Sequence, residues 1–480
     1  MRARGHLVAL RSRRDARGTA LVLAAGAVGV ALVTAALLRL LDPTLEVALV
    51  LPILAVVAVA VFVVPVQWIP VLALGVLALF PTRLIPNDGP FNALPPLAIL
   101  LGIWVFRRAI LGQRPPGDEG DPPERARMGP RFAVYATAGL LVVWLAYSVV
   151  LAGGGETSIG WTLSFLVGAL LPVIVFDARA EARLLAGAFL VLGAAVGAYT
   201  VIEMLLGMSP VYGSLAAVLG GGSEFGFSVY RASAAFSHPL FAAAFLCIPA
   251  ALGIGRWLTS GATWPLLCGL LSAAGVVATV SRGSIVAVGV AVAFALLLAP
   301  VFIGWRNISR WLQLLVLTVV GGIAVLNFGP LVERADSIES RLSAGVRERA
   351  IDVAILAADY SGWLGTGPGT SGQTGRLFDT IIIENSILQL LISIGIPGLL
   401  LFLLLLASLI WSAWSHQDLG VILAIIAYTV AISGFNSLDA VRNMHIVIGF
   451  LVILSLHTGA SAPAVVRSPA TVDRRLATLA

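Results

Sequence analysis

The chain has no lysine and only two cysteines. Its composition therefore does not favour nucleic-acid binding, a disulfide framework or a cysteine metal site. All 30 basic residues are arginines, and the net charge of +6 spread over 480 residues is not a nucleic-acid footprint. The two cysteines, Cys247 and Cys268, both fall in apolar stretches. Neither a disulfide framework nor a metal site follows from two such thiols. We therefore expect no metal, no cofactor and no nucleic-acid partner.

Charge of either sign is also scarce, and long apolar runs take its place. Charged residues make up 11% of the chain and hydrophobic residues 59%, and the mean hydropathy is +1.00. Stretches such as Thr19–Leu41 and Gly395–Trp411 are almost free of charge. About 20 such residues cross the hydrocarbon core as a helix. The sequence predicts an all-α, polytopic integral membrane protein with about 12–14 transmembrane helices, one large extracytoplasmic loop and no soluble domain.

The predicted spans cover residues 19–458, which we interpret as one membrane domain. The pair 46–65 and 67–81 is interrupted by Pro65, Pro70 and Pro81, so a total of 12 or 13 spans is the alternative. The spans are 19–41, 46–65, 67–81, 93–108, 132–151, 160–176, 184–206, 238–255, 263–280, 284–303, 311–328, 385–411, 418–434 and 445–457.

Arginine placement sets the orientation of these spans. With both termini cytoplasmic, most arginines fall on the inner side, as the positive-inside rule requires. Residues 1–18 then form an Arg-rich cytoplasmic tail, 112–130 a flexible inner linker and 459–480 a disordered cytoplasmic tail. We expect a multi-pass protein of the bacterial cytoplasmic membrane.

The outer side carries one long loop, residues 329–384. Between Ala344 and Tyr360 its apolar residues recur every three or four positions, which predicts an amphipathic helix. The turn Gly365-Thr366-Gly367-Pro368-Gly369 follows, and its glycines allow close backbone approach. A loop of this length in a membrane protein is usually functional.

Three arginines, Arg231, Arg282 and Arg347, fall on the outer side, where arginine is uncommon. A guanidinium fork matches phosphate oxygens and keeps its charge at any relevant pH, which favours an anion site. The alternatives stay open: Arg282 could snorkel to the interface, Arg231 could be a solvated loop residue, and Arg347 could belong to a charge-paired helix face with Arg349.

Two further segments offer proton-transfer chemistry. Glu384 and Asn385 open an apolar span, where Glu384 is either a helix-terminal carboxylate or a general base. His238 precedes Pro239 and is either a helix cap or a proton-transfer group.

The order of these motifs along residues 200–410 resembles the O-antigen ligase and O-antigen polymerase family. Glu384 departs from the pattern, because the family carries histidine at that position. Ile351 also departs, because an aromatic is expected four residues after the loop arginine. The motifs, in order, are Arg231, Phe236-Ser237-His238-Pro239, Thr279-Val280-Ser281-Arg282-Gly283, Arg347, Trp363-Leu364-Gly365-Thr366-Gly367-Pro368-Gly369, Glu384-Asn385-Ser386-Ile387-Leu388-Gln389-Leu390-Leu391 and Gly395-Ile396-Pro397-Gly398.

The resemblance implies a metal-independent, inverting membrane glycosyltransferase that builds cell-envelope polysaccharide. Its donor would be a glycan on a polyprenyl pyrophosphate such as undecaprenyl pyrophosphate, and its acceptor a sugar hydroxyl. Arg282 and Arg347 would hold the pyrophosphate, and Glu384 would act as base. We expect substrate contacts from Arg231, His238, Ser281, Arg349 and Asn385.

The resemblance also bears on partners and on the type of transferase. A chain-length regulator or another envelope-assembly protein would be a possible partner. The glutamate favours a polymerase over a strict ligase.

Two other functions remain compatible with the sequence. A polysaccharide or lipid-carrier transporter would also use intramembrane arginines, although we find no inverted repeat between the two halves. A non-catalytic scaffold for envelope assembly would be favoured if Glu384 reflects lost activity.

Overall fold

The computed structural model describes residues 64–81, 93–111, 128–218, 228–304 and 307–457. The predicted span 19–41, both predicted tails and nearly all of the span 46–65 and the linker 112–130 lie outside these ranges. Within the described residues, regular structure consists of helices.

The chain order of the described helices follows the apolar spans, with extra helices between some of them. They are α1 Ile69–Leu79, α2 Pro96–Leu111, α3 Met128–Leu151, α4 Glu156–Phe165, α5 Arg179–Leu206, α6 Tyr212–Val218, α7 Pro239–Ser260, α8 Thr263–Ala278, α9 Arg282–Ile303, α10 Ile308–Leu326, α11 Gly329–Asp336, α12 Ile338–Tyr360, α13 Ser371–Gly375, α14 Ser386–Ser415, α15 Leu419–Ile432, α16 Ser437–Ala440 and α17 His445–His457.

Seven of the described helices are long and apolar enough to cross a membrane, and four shorter apolar helices lie among them. The helix α4 reaches spanning length because it continues through a π-turn and a 3-10 turn to Ile174. The prediction of an all-α, polytopic membrane protein is confirmed.

The core of the bundle is α7, which packs against α5, α8, α9 and α15. Small residues allow these close approaches: a Cβ added at Gly253 of α7 would lie 2.8 Å from the Cα of Gly269 in α8. By contrast, α10 is sparsely packed: only 6% of its most apolar 18-residue stretch is buried against the rest of the protein.

The helix α14 is kinked at Gly395, whose φ of 67° is left-handed. The kink frees backbone carbonyls, and the glycine turn after α12 satisfies two of them: Thr366 N donates to Ile392 O at 2.9 Å and Gly367 N to Ser393 O at 2.9 Å. The turn therefore locks residues 329–385 onto the bundle.

The helix α12 covers the predicted amphipathic stretch. Its apolar face, formed by Ala350, Val353, Ala354 and Ala357, is buried in a small cluster with residues that include Ile383. The 3.6-residue spacing thus buries one face of a helix whose other residues are largely exposed.

Candidate active site

Four arginines, two of them from the 329–385 segment, line one small cavity. Arg231 comes from the segment before α7, Arg282 is the first residue of α9, Arg334 lies in α11 and Arg347 in α12. The cavity volume is about 20 Å³, the space of roughly one water molecule. No carboxylate is among the described residues that line it. Converging positive charge of this kind favours an anionic ligand.

The turn between α8 and α9 places Arg282. Val280 is fully buried with φ +52°, a left-handed conformation that a β-branched residue rarely adopts. Ser281 Oγ donates to Ser284 Oγ at 3.1 Å, and both serines line the cavity. The cavity therefore sits at the N-terminus of α9, where unsatisfied backbone N–H groups and the helix dipole add to the positive potential.

A glycine pair brings α9 against the end of α15 beside this cavity. A Cβ added at Gly283 would meet only the Cα of Gly434, at 3.8 Å. Both glycines line the cavity. The absence of side chains here leaves the first turn of α9 open to a ligand.

Arg231 is held on the other wall. Its side chain is buried, with 7% exposed, and its Nε donates to Thr279 O at 3.2 Å. The next residue, Ala232, donates its N–H to Ala278 O at 3.3 Å. The segment carrying Arg231 is thus attached to the C-terminal end of α8.

The other two arginines come from the 329–385 segment. Arg347 is exposed, and it makes no ion pair with any residue that the structure describes. Arg334 is partly buried and lies one helix earlier. Both arginines belong to the 329–385 segment, which the bonds near Gly395 hold on the bundle. The position of this segment therefore determines where two of the four arginines lie.

The remaining predicted residues lie outside the cavity lining. Asn385 caps α14, accepting from Ile387 N at 2.9 Å and Leu388 N at 3.1 Å. His238 caps α7 by accepting from Leu240 N at 3.2 Å. Arg349 pairs with Asp379 at 3.8 Å. These contacts give each residue a structural role, and substrate binding by them stays a prediction.

Glu384 is connected to the cavity lining through a neighbouring residue of the chain. It is partly exposed and precedes the cap of α14. Two residues on, Ser386 N and Oγ donate to Phe435 O at 3.0 and 2.8 Å, and Phe435 lines the arginine cavity. This tether keeps the Glu384 carboxylate at the same end of the bundle as Arg282.

Sequence analysis missed Arg334 and a polar junction around Asp439. The Asp439 carboxylate accepts hydrogen bonds from Ser371 Oγ and from Ser393 Oγ, the latter at 3.0 Å. Burial raises its pKa, against the opposing effects of these serines and of Arg442. The sequence gives no indication of the role of Ser371 and Ser393, because this role depends on contacts between residues 22 to 68 positions apart.

A large apolar cavity is lined in part by residues on either side of the turn that carries Arg282. Its volume is about 590 Å³, and its lining comes mainly from α8, α9 and α10. Ala278 and Ile285 line it, and they flank the Thr279–Ser284 turn that carries Arg282. The linings of the two cavities share no residue, but they are contiguous in sequence at this turn.

Residues 267–403 match the family model described as O-antigen ligase. This segment runs from α8 through the kink of α14 and includes Arg282, Arg334, Arg347 and Glu384. No curated protein matches the chain. The resemblance to the O-antigen ligase family that the sequence motifs predict is thus confirmed over residues 267–403.

Proposed function

We propose that this protein is a metal-independent, inverting glycosyltransferase that acts at the extracytoplasmic face of the bacterial cytoplasmic membrane. It takes a glycan from a polyprenyl pyrophosphate and joins it to a sugar hydroxyl. The observation that carries the proposal is the convergence of Arg231, Arg282, Arg334 and Arg347 on one cavity. An apolar chamber is lined by residues on either side of the turn that holds Arg282.

The arginine cavity is the site we assign to the donor diphosphate. One guanidinium group can bind two phosphate oxygens through two parallel hydrogen bonds. The first turn of α9 adds backbone N–H donors. The cavity of about 20 Å³ is too small for a diphosphate as it stands. Arg347, which is exposed, is the side chain we expect to move outward as the donor enters.

The apolar chamber is the site we assign to the first part of the polyprenyl chain. Thr318 is the one hydroxyl side chain among its described lining residues, so an isoprenoid loses no hydrogen bonds on entry. Residues of the chamber flank the turn of Arg282, and we propose that one ligand places its tail in the chamber and its diphosphate among the arginines.

Glu384 is the base we assign to the acceptor. The acceptor oxygen attacks the anomeric carbon as the bond from that carbon to the diphosphate oxygen breaks. The proton of the acceptor hydroxyl passes to the Glu384 carboxylate, and the lipid diphosphate leaves with the bonding electron pair. Charge develops on the diphosphate, so the arginines supply the larger part of the catalysis.

Turnover of a purified lipid-pyrophosphate glycan tests the proposal. Wild-type protein in nanodiscs should release polyprenyl pyrophosphate and form a new glycosidic bond. Arg282→Ala should lower the rate by about 10²–10³, by analogy with the loss of one oxyanion donor. Arg376→Ala, an exposed arginine of the same segment outside the cavity lining, is the matched control and should retain activity.

The reaction products also distinguish a transferase from a transporter. A transporter would move the intact lipid-linked glycan across the bilayer and release no polyprenyl pyrophosphate. Translocation without bond formation, or equal rates for Arg282→Ala and Arg376→Ala, would contradict the transferase.

A further inference from the structure

A second buried carboxylate, Glu203, lies near the end of α5 in a membrane-spanning helix. Its side chain has no exposed surface. A carboxylate inside a span is costly and persists where its oxygens are satisfied by specific donors. The identity of those donors indicates what the residue does.

Three of the donors to Glu203 belong to the segment that carries Arg231. Tyr230 Oη donates to Oε1 at 3.0 Å and the N–H of Ala234 to Oε2 at 2.9 Å. The backbone of Ser233 and the side chain of Ser209 complete the set. Glu203 therefore binds the chain on both sides of Arg231.

The segment needs such a hold because it lacks regular structure of its own around Arg231. Ala234 has a left-handed φ of +47°, which costs an L-residue energy unless its surroundings fix it. On the opposite side the segment is bonded to Thr279 O and Ala278 O at the end of α8. The segment that carries Arg231 is thus bonded to two helices, to α5 through Glu203 and to the end of α8.

We propose that Glu203 is a positioning residue that holds Arg231 in the arginine cavity in a diphosphate-binding orientation. It acts through Arg231 and touches no substrate. The inference rests on the proposed function, since it assumes that the cavity binds a diphosphate.

The same helix offers a matched control at its other end. Glu181 is also fully buried, and it pairs with Arg108 at 2.7 Å. The two glutamates are 22 positions apart, about 33 Å along a helix. Glu181→Gln therefore removes a buried carboxylate from α5 without touching the Arg231 segment.

The first test measures the binding of inorganic pyrophosphate to the purified full-length protein by calorimetry. In Glu203→Gln the amide nitrogen cannot accept from the backbone N–H groups that the carboxylate binds, so the segment loses a fixed position. We expect the Kd to rise by about tenfold, equivalent to one charge-assisted hydrogen bond. Glu181→Gln should bind as wild type does.

A double-mutant cycle then separates positioning from a general structural effect. Arg231→Ala should weaken pyrophosphate binding, and adding Glu203→Gln to it should cause no further loss, because the residue acts only through Arg231. Additive losses, or an equal loss in Glu181→Gln, would overturn the inference.

Tyr230→Phe covers the case in which Glu203→Gln does not fold. It removes one hydrogen bond to Glu203 and keeps the ring, so weaker binding is expected in a folded protein. If Tyr230→Phe binds as wild type does while Arg282→Ala still binds poorly, only the role of Glu203 fails. If Arg282→Ala also binds normally, the proposed function fails as well.

Discussion

The kink in α14 gives the sharpest stability prediction, because a single methyl group should separate the loop from the bundle. Gly395 has φ 67°, and a Cβ there would overlap the Trp363 carbonyl oxygen and the Leu364 carbonyl carbon and lie 2.7 Å from Gly365 N. Backbone cannot move aside as a flexible side chain does. Gly395→Ala should therefore push the glycine turn off the helix.

The magnitude follows from three terms. The left-handed φ costs alanine about 1–2 kcal/mol, and overpacking adds about 1–3 kcal/mol. Displacing the turn also weakens the bond from Ile396 N to Trp363 O, which is 3.0 Å long, at a cost of about 1 kcal/mol. We expect a loss of about 4 kcal/mol in the free energy of unfolding.

Thermal unfolding in detergent is the assay, with Gly372→Ala as the control. Gly372 lies in the same segment, in the short helix α13, and a Cβ there would meet nothing within 4 Å. Its replacement should be neutral or slightly stabilising, because alanine favours a helix. Equal melting temperatures for the two variants would refute the account of the junction.

Three other predictions concern chemistry and pH. Glu384→Gln should lower the transfer rate by about 10²–10⁴ while leaving the melting temperature unchanged, because glutamine cannot take up the proton and Asn385 still caps α14; near-full activity would reduce Glu384 to a helix-terminal residue. Burial raises the pKa of Asp439, so its neutral form is favoured in the folded protein. The stability of the wild type should fall as the pH rises from the ordinary pKa of an aspartate through that raised value, and unfolding curves for Asp439→Asn should show a smaller fall; an equal slope would contradict this assignment. Removal of divalent metal with EDTA should leave turnover unchanged, because the arginines supply the positive charge; loss of activity restored by Mg²⁺ would show that they do not suffice.

Much of the fold could be predicted from hydropathy, because apolar length and helix-breaking residues are local properties. The start of α9 at Arg282 follows from the polar Ser281-Arg282-Gly283-Ser284 between two apolar runs. The kink at Gly395 did not follow, since Gly395 and Pro397 lie within one continuous apolar run. Pro397 has no N–H and so frees the Ser393 carbonyl, but the turn around Gly365 that bonds this carbonyl is distant in sequence.

The site could be predicted only in part for the same reason. Arg231, Arg282 and Arg347 were selected as outer-face arginines, and the structure brings all three to one cavity. Arg334 was missed because its neighbours Glu333 and Asp336 make it resemble a solvated helix face. Glu203 was missed because one carboxylate in a long apolar run gives no sign of which segment it bonds.

The sparse packing of α10 links the chemistry to the lipids around it. This helix spans 19 residues, about 28 Å, and leads through α11 into α12, which carry Arg334 and Arg347. Because so little of its apolar surface is held by protein, most of that surface is left to face lipid. We therefore expect the transfer rate to depend on the acyl-chain length of the surrounding lipids, since α10 leads directly into the two helices that carry these guanidinium groups.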